Sequence, residues 1–369
     1  DEAPTVLLPE AEYIELYNTK DFPINLRDWT IEVGSSSYTI PSGVIPPDSF
    51  VVLVDGDEAA LFTGINVVSM PSLGSLTNTS GTIALRAPNG SLLHSVLYSD
   101  DWYGSNAKSS GGWSLEMIDP SNPCGGRNNW TASTNTQGGT PGATNSVLGT
   151  SIDATAPRMY RSGFLAPDTA YLYFSEQLSP GSLDLSDITL SAAPGLPIDV
   201  RLIQPELQVA RILLASPINP GEEVLVTISG NVEDCAGNAM PQDSVRLRNP
   251  DAILDQDLLI NEVLSDPKDG GIDYLEIYHN GTEAVDLSQL YLTTLDTLTG
   301  EFETTYQASP LPLLLFPGEY LLLSEDQEIV KSQYLTEDSL AFWDVEDLPS
   351  LNNDDDAIRD PIRTQYLHD

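Results

Sequence analysis

The chain has 369 residues, 40% hydrophobic and 19% charged, enough for roughly two to four ordinary domains with their own cores. Its 55 acidic against 15 basic residues give a formal net charge of -40, a surface that repels phosphate backbones and anionic lipid and disfavours nucleic-acid or membrane-surface partners. With 27 Gly, 27 Pro and 15 Tyr, and few amphipathic helical patterns, the composition reads as short strands joined by tight turns.

No stretch approaches the ~20 apolar residues of a membrane span, and no signal peptide opens at Asp1, so the chain reads as a mature or trimmed fragment. From Asp1, period-two patterns predict strands at Tyr13–Tyr17, Trp29–Val33, Phe50–Val54, Thr82–Leu85, Leu92–Tyr98 and Trp113–Met117. Ile14 and Leu16 should face one side of the first strand, with Tyr13, Glu15 and Tyr17 on the other. Asp55 and Glu58 have capping-box spacing and predict a short helix after Val54. A Gly-, Thr-, Asn- and Ser-rich run from Thr131 to Ser146 reads as a closing loop entering a linker.

A different pattern follows from about Gly149 to Pro250. Strands are predicted at Ala170–Phe174, Ile198–Ile203, Val209–Leu214, Glu223–Ser229 and Ser244–Arg248, separated by turns at Pro180-Gly181, Pro194-Gly195 and Pro220-Gly221. Five to seven strands in roughly 100 residues indicate an antiparallel sandwich. A third segment opens with a strand at Leu258–Leu264 and then repeats the first. Tyr13-Ile14-Glu15-Leu16-Tyr17-Asn18 recurs as Tyr274-Leu275-Glu276-Ile277-Tyr278-His279. Ile24-Asn25-Leu26 recurs as Val285-Asp286-Leu287, and Phe50–Val54 as a strand at Tyr320–Leu323 with a capped helix over Glu328–Tyr334. One supersecondary plan is used twice, as in modular arrays that bind or scaffold.

These residues resemble bacterial lamin-tail domains, an immunoglobulin-like β-sandwich family. Ile260-Asn261-Glu262-Val263 and Asp273-Tyr274-Leu275-Glu276-Ile277-Tyr278 carry the resemblance in the third segment. Glu12-Tyr13-Ile14-Glu15-Leu16-Tyr17-Asn18 and the close from Asn128-Asn129-Trp130 to Ser146 carry it in the first. The middle segment resembles bacterial Ig-like domains of surface-layer proteins through Asp153 to Pro157, Phe174-Ser175-Glu176 and Asp234-Cys235-Ala236-Gly237-Asn238. The resemblance implies an all-β chain of three tandem Ig-like antiparallel β-sandwich domains, at 1–148, 149–250 and 251–369. It also implies a secreted or surface protein of Bacteroidetes-type bacteria. The first copy lacks an opening strand like Leu258–Leu264. The second stops before counterparts of Trp113–Met117 and is shorter between Ile358 and Tyr366, which we read as truncation of the chain.

The search for chemistry is mostly negative. His94, His279 and His368 have no ligand neighbours at metal-binding spacing, and no nucleophile elbow or phosphate loop occurs. Glu15 and Glu276 occupy equivalent positions in separate segments, so they read as hydrogen-bond acceptors of the fold and not as an acid/base pair. Calcium is the more credible chemistry, because acidic turns offer the hard oxygen ligands it takes. The candidate metal ligands are Asp55, Asp57 and Glu58; Asp266, Asp269 and Asp273; and Asp354, Asp355 and Asp356. Trp102, Tyr103 and Trp113 read as packing residues in preference to a sugar platform. Asn78, Asn89, Asn129 and Asn280 lie in incidental sequons. Cys124 and Cys235 fall in different turn-like segments and leave two readings open, a pair of inert thiols or a bond that clamps two modules together.

The reading is a non-catalytic extracellular or cell-surface scaffold or adhesion protein, with no catalytic or cofactor-binding residues and an extracellular protein or glycan as partner. The alternatives are the accessory region of a larger secreted hydrolase of nuclease or phosphatase type, or a glycan-binding module.

Overall fold

The protein is described by a computed structural model covering residues 6–191, 196–294, 302, 304–349 and 351. Its described residues are almost entirely strands, turns and short helical turns, in mostly antiparallel sheets. The Pro194-Gly195 turn, the Ile358–Tyr366 stretch, His368 and Asp354, Asp355 and Asp356 lie outside the described residues.

The first segment builds a three-stranded sheet from Tyr13–Asn18, Ser49–Asp55 and Val67–Met70. A four-stranded sheet of Ser36–Thr39, Thr30–Val33, Ser80–Arg86 and Leu92–Ser99 accompanies it. Ile14, Ile31, Val51, Leu53 and Met70 fill one core with Leu16 packed against it, while Val52, Val54 and Phe62 form a second cluster with Tyr13 at its side. The two faces of the Tyr13–Asn18 strand thus bury different residues, as a two-residue period requires.

The middle segment is a sandwich. One sheet orders Met159–Ala166, Thr169–Phe174, Val209–Leu214 and Pro197–Leu202; the other orders Ile188–Leu190, Glu223–Ile228 and Asp243–Arg248. Leu172, Ile188, Ile212, Val224, Val226 and Leu247 from both sheets are almost wholly buried in one cluster.

The third segment pairs Leu258–Leu264, Tyr274–His279, Tyr320–Ser324 and Phe342–Asp344 in one sheet. Its geometry repeats that of the first segment. Tyr13 opposes Val54 and Tyr17 opposes Phe50; Tyr274 opposes Ser324 and Tyr278 opposes Tyr320. Each second strand then crosses over to a parallel neighbour, Val67–Met70 in one case and Phe342–Asp344 in the other. A stacked ring pair at Tyr17–Phe50 (4.7 Å) corresponds to a tilted pair at Tyr278–Tyr320 (4.6 Å), and edge contacts recur at Tyr13–Phe62 and Tyr274–Tyr334. The short ladders Ile24–Asn25 with Val44–Ile45 and Val285–Asp286 with Leu314–Leu315 also correspond.

Two local expectations need correction. Asp55 and Glu58 form no capping box: a single 3-10 turn spans Ala59–Leu61, and Glu58 at its N-cap is already in a right-handed helical conformation with no side-chain cap bond. The counterpart in the third segment is a real helix, Gln327–Gln333, because Asp326 is extended and accepts from the Glu328 and Ile329 amides.

Cys124 and Cys235 are not free thiols. They form a disulfide across 111 residues of sequence, because the 119–129 turn of the first segment lies against the 234–238 turn of the middle one. Other joints reinforce it. Ser95 Oγ donates to the Pro205 carbonyl at 2.7 Å and Arg86 bonds Gln204 at 2.6 Å. Arg127 pairs with Asp326 of the third segment. Between the middle and third segments, Arg161 and Arg246 both grip Glu319, at 2.9 and 2.6 Å, and Tyr173 Oη donates to the Pro312 carbonyl at 2.6 Å. Hydrophobic packing also crosses residue 250: Ala284, Leu314 and Phe316 join the middle core, and Tyr171 and Tyr173 join the cluster around Leu275 and Ile277.

Candidate functional site

The conspicuous carboxylates of the repeat are tied into the fold. Glu15 accepts a hydrogen bond from the Gly142 amide and thereby holds the Gly-rich closing loop against the Tyr13–Asn18 strand. Glu116, 4% exposed, accepts from Thr140 Oγ1 at 2.8 Å and from both the amide and hydroxyl of Ser146 at 2.7 Å. Burial, with the Glu116 charge behind it and the Gly142 bond opposing, pushes the Glu15 carboxyl up to about 7. Glu276, its counterpart, accepts from Asn261 Nδ2 at 2.6 Å. Both therefore make the hydrogen bonds expected of fold-level acceptors.

The same holds at Asn18 and His279. Asn18 is fully buried; its Nδ2 donates to the Phe22, Ile45 and Pro46 carbonyls and its Oδ1 accepts from the Lys20 amide two residues on. His279 is fully buried at the equivalent position, and its Nδ1 accepts from Gly281, again two residues on. Burial holds its pKa below the usual histidine value, so the ring is a neutral acceptor. His94 Nε2 lies 2.9 Å from the Pro123 carbonyl, next to the disulfide.

The candidate calcium loops distribute as follows. Asp55 and Glu58 line a cavity of about 280 Å³ together with Glu12, whose carboxylate accepts from the Leu76 amide. Asp57 is exposed. Asp266 and Asp269 are exposed, and Asp273 is half-buried, its carboxyl raised by burial and then by Asp266. Among the described residues, no three of these acids come together at ligand distance of one another. Of the aromatic trio, Tyr103 donates to the Trp113 carbonyl and Lys108 sits over the Trp113 ring, which are packing roles.

An acidic trio lies elsewhere. Asp153, Glu176 and Asp234 each present a carboxylate oxygen within 4.8 Å of the other two. Asp153 sits on the linker, Glu176 follows the Thr169–Phe174 strand, and Asp234 opens the turn that carries Cys235. Asn238 organises the trio: its amide donates to Asp234 Oδ1 at 2.9 Å, and its Nδ2 donates to Asp234 Oδ2 at 2.8 Å and to the Asp153 carbonyl at 3.3 Å. Burial, then Asp153 and Asp234, push the Glu176 carboxyl up to about 7. Each of the three acids lies in a stretch that carries the Ig-like resemblance, and local pattern does not reveal that they converge.

By its sheets the chain is an all-β, Ig-like protein. Within that class, residues 2–100 match the family model of the Lamin Tail Domain, about a quarter of the chain and the region of the first repeat copy. No curated protein matches. Solved structures similar to the chain include the S-layer protein rSbsC(31-844), at 11% identity and a TM-score of 0.25 over 44% of this chain and 26% of that one. The N-terminal part of the bacterial S-layer protein SbsC is similar at 12% identity and a TM-score of 0.24, over 45% of each chain. The chain thus spans less than half the length of either.

Proposed function

We propose that this chain is a non-catalytic extracellular scaffold or adhesion protein, in which two lamin-tail-like modules flank an Ig-like one and display surfaces to an extracellular protein or glycan. The observation that carries the reading is the set of cross-segment joints. The disulfide, the Arg161–Glu319–Arg246 group and the Arg127–Asp326 pair all fasten one module to another. Meanwhile the carboxylates most suggestive of chemistry, Glu15 and Glu276, accept hydrogen bonds within the fold, from the Gly142 amide and from Asn261 on the neighbouring strand. A disulfide of this kind persists in oxidising compartments, which supports an extracellular or outer-surface location. The strongly acidic surface argues against a nucleic-acid partner.

The test is turnover by the intact oxidised chain on nuclease, phosphatase and glycosidase substrates. No turnover above background is expected. Turnover that a single point substitution abolishes would contradict the proposal.

A further inference from the structure

We infer that Asn89 is a self-modifying site, whose side-chain amide is attacked by the Gly90 nitrogen and converts to aspartate or isoaspartate with loss of ammonia. The sequence holds two Asn-Gly pairs, Asn89-Gly90 and Asn280-Gly281. In such a pair the glycine nitrogen can reach the asparagine Cγ, because no Cβ on the second residue shields it. The two pairs stand in different surroundings.

Asn89 lies at the tip of the turn between the Ser80–Arg86 and Leu92–Ser99 strands, where residues 88–91 are all exposed. Its Oδ1 accepts from the Ser91 amide at 3.0 Å. That bond closes a ring of atoms containing both Cγ and the Gly90 nitrogen. It also sets a donor on the oxygen that becomes negative when Cγ is attacked. Gly90 has φ +84°, and a Cβ there would meet nothing within 4 Å, so open space surrounds the attacking group. One bond, from the Gly90 amide to the Ala87 carbonyl at 2.9 Å, must break for the nitrogen to turn. At the second pair, the Asn280 amide donates to the Asp257 carbonyl at 2.7 Å. The Gly281 amide donates to that same carbonyl at 3.2 Å and to His279 Nδ1 at 3.0 Å. Asn280 Nδ2 is held by the Gln256 carbonyl at 3.2 Å, and a Cβ on Gly281 would stand 2.7 Å from Asp257 Oδ1. Nitrogen and target amide are both pinned there.

At Asn89 the Gly90 N–Cγ bond forms as the N–H proton passes to solvent. The Cγ–Nδ2 bond breaks, and Nδ2 takes a proton from water and leaves as ammonia. The cyclic imide then adds one water. Opening on the side-chain carbonyl gives aspartate; opening on the main-chain carbonyl gives isoaspartate, with the main chain rerouted through the former side chain. The new carboxylate falls beside a cross-segment joint, since Arg86 Nη1 donates to the Gly90 carbonyl at 3.4 Å and to Gln204 of the middle segment at 2.6 Å.

The experiment incubates the full oxidised chain at mildly alkaline pH and follows both pairs by peptide mass mapping, reading the gain that accompanies exchange of an amide for an acid. A denatured sample and a Ser91→Pro variant, which lacks the amide that donates to Asn89, run alongside. In the native chain Asn89 should convert at least about tenfold faster than Asn280, and Ser91→Pro should slow it at least about tenfold. In the denatured chain the two pairs should convert at comparable rates, which assigns the native difference to the fold and not to the flanking residues. No conversion at Asn89, equal native rates at the two pairs, the same ratio after denaturation, or an undiminished rate in Ser91→Pro would overturn the inference.

Discussion

At the scale of single residues, the repeat preserves roles more faithfully than identities. Asn18 and His279 share a position, full burial and an acceptor bond from the residue two further on, although one is an amide and the other an imidazole. Glu15 and Glu276 share the acceptor role with different donors. Glu15 also has a consequence for pH dependence. Its folded pKa lies near 7, above the ordinary 4.5, so the fold prefers the neutral carboxyl. The stability it confers is complete below about pH 4.5 and is lost as pH rises through 7. Glu15→Gln keeps an acceptor for the Gly142 amide but cannot ionise. Relative to the parent it should gain about 1–2 kcal/mol between about pH 5 and pH 8, after allowance for solvent screening. Denaturant midpoints at the two pH values measure this, and parallel behaviour of the two proteins would contradict it.

At the scale of elements, strands were legible where apolar residues alternate or run unbroken at strand length. Tyr13–Asn18, Ser49–Asp55, Thr169–Phe174 and Val209–Leu214 all bury apolar residues, and their positions follow from the pattern. Met159–Ala166 was missed because Arg161, Ser162 and Gly163 interrupt its apolar run. The structure shows why they are there. Arg161 reaches Glu319, Ser162 Oγ donates to the Arg246 carbonyl, and a Cβ on Gly163 would stand 1.8 Å from the Pro312 carbonyl oxygen. The strand is written for a joint with the third segment as well as for its own sheet. Gly163→Ala must push that backbone away, and we expect a loss of about 1–3 kcal/mol in global stability. An unchanged denaturant midpoint would show that the middle and third segments do not meet at this strand.

At the scale of the whole molecule, the contacts that join distant segments were not legible in the sequence. Cys124 and Cys235 stand 111 residues apart, and the acidic trio draws on the linker, a strand end and a turn. Only the folded topology brings such positions together, because local patterns report burial and not which distant loop arrives alongside. The repeat was legible because it is local pattern twice over; the joints were not, because each is a pair of unrelated short sequences. Yet the joints separate an array of independent beads from segments fastened to one another. The disulfide closes a long loop and should contribute about 2–4 kcal/mol by restricting the unfolded chain. The most direct measurement is small-angle scattering of the intact chain and of a Cys124→Ser, Cys235→Ser variant. The intact chain should give one compact profile matching the three segments in mutual contact. The variant should loosen at the first segment while the middle and third segments stay together through Arg161, Arg246 and Glu319. Identical extended profiles for both proteins would contradict a fastened scaffold.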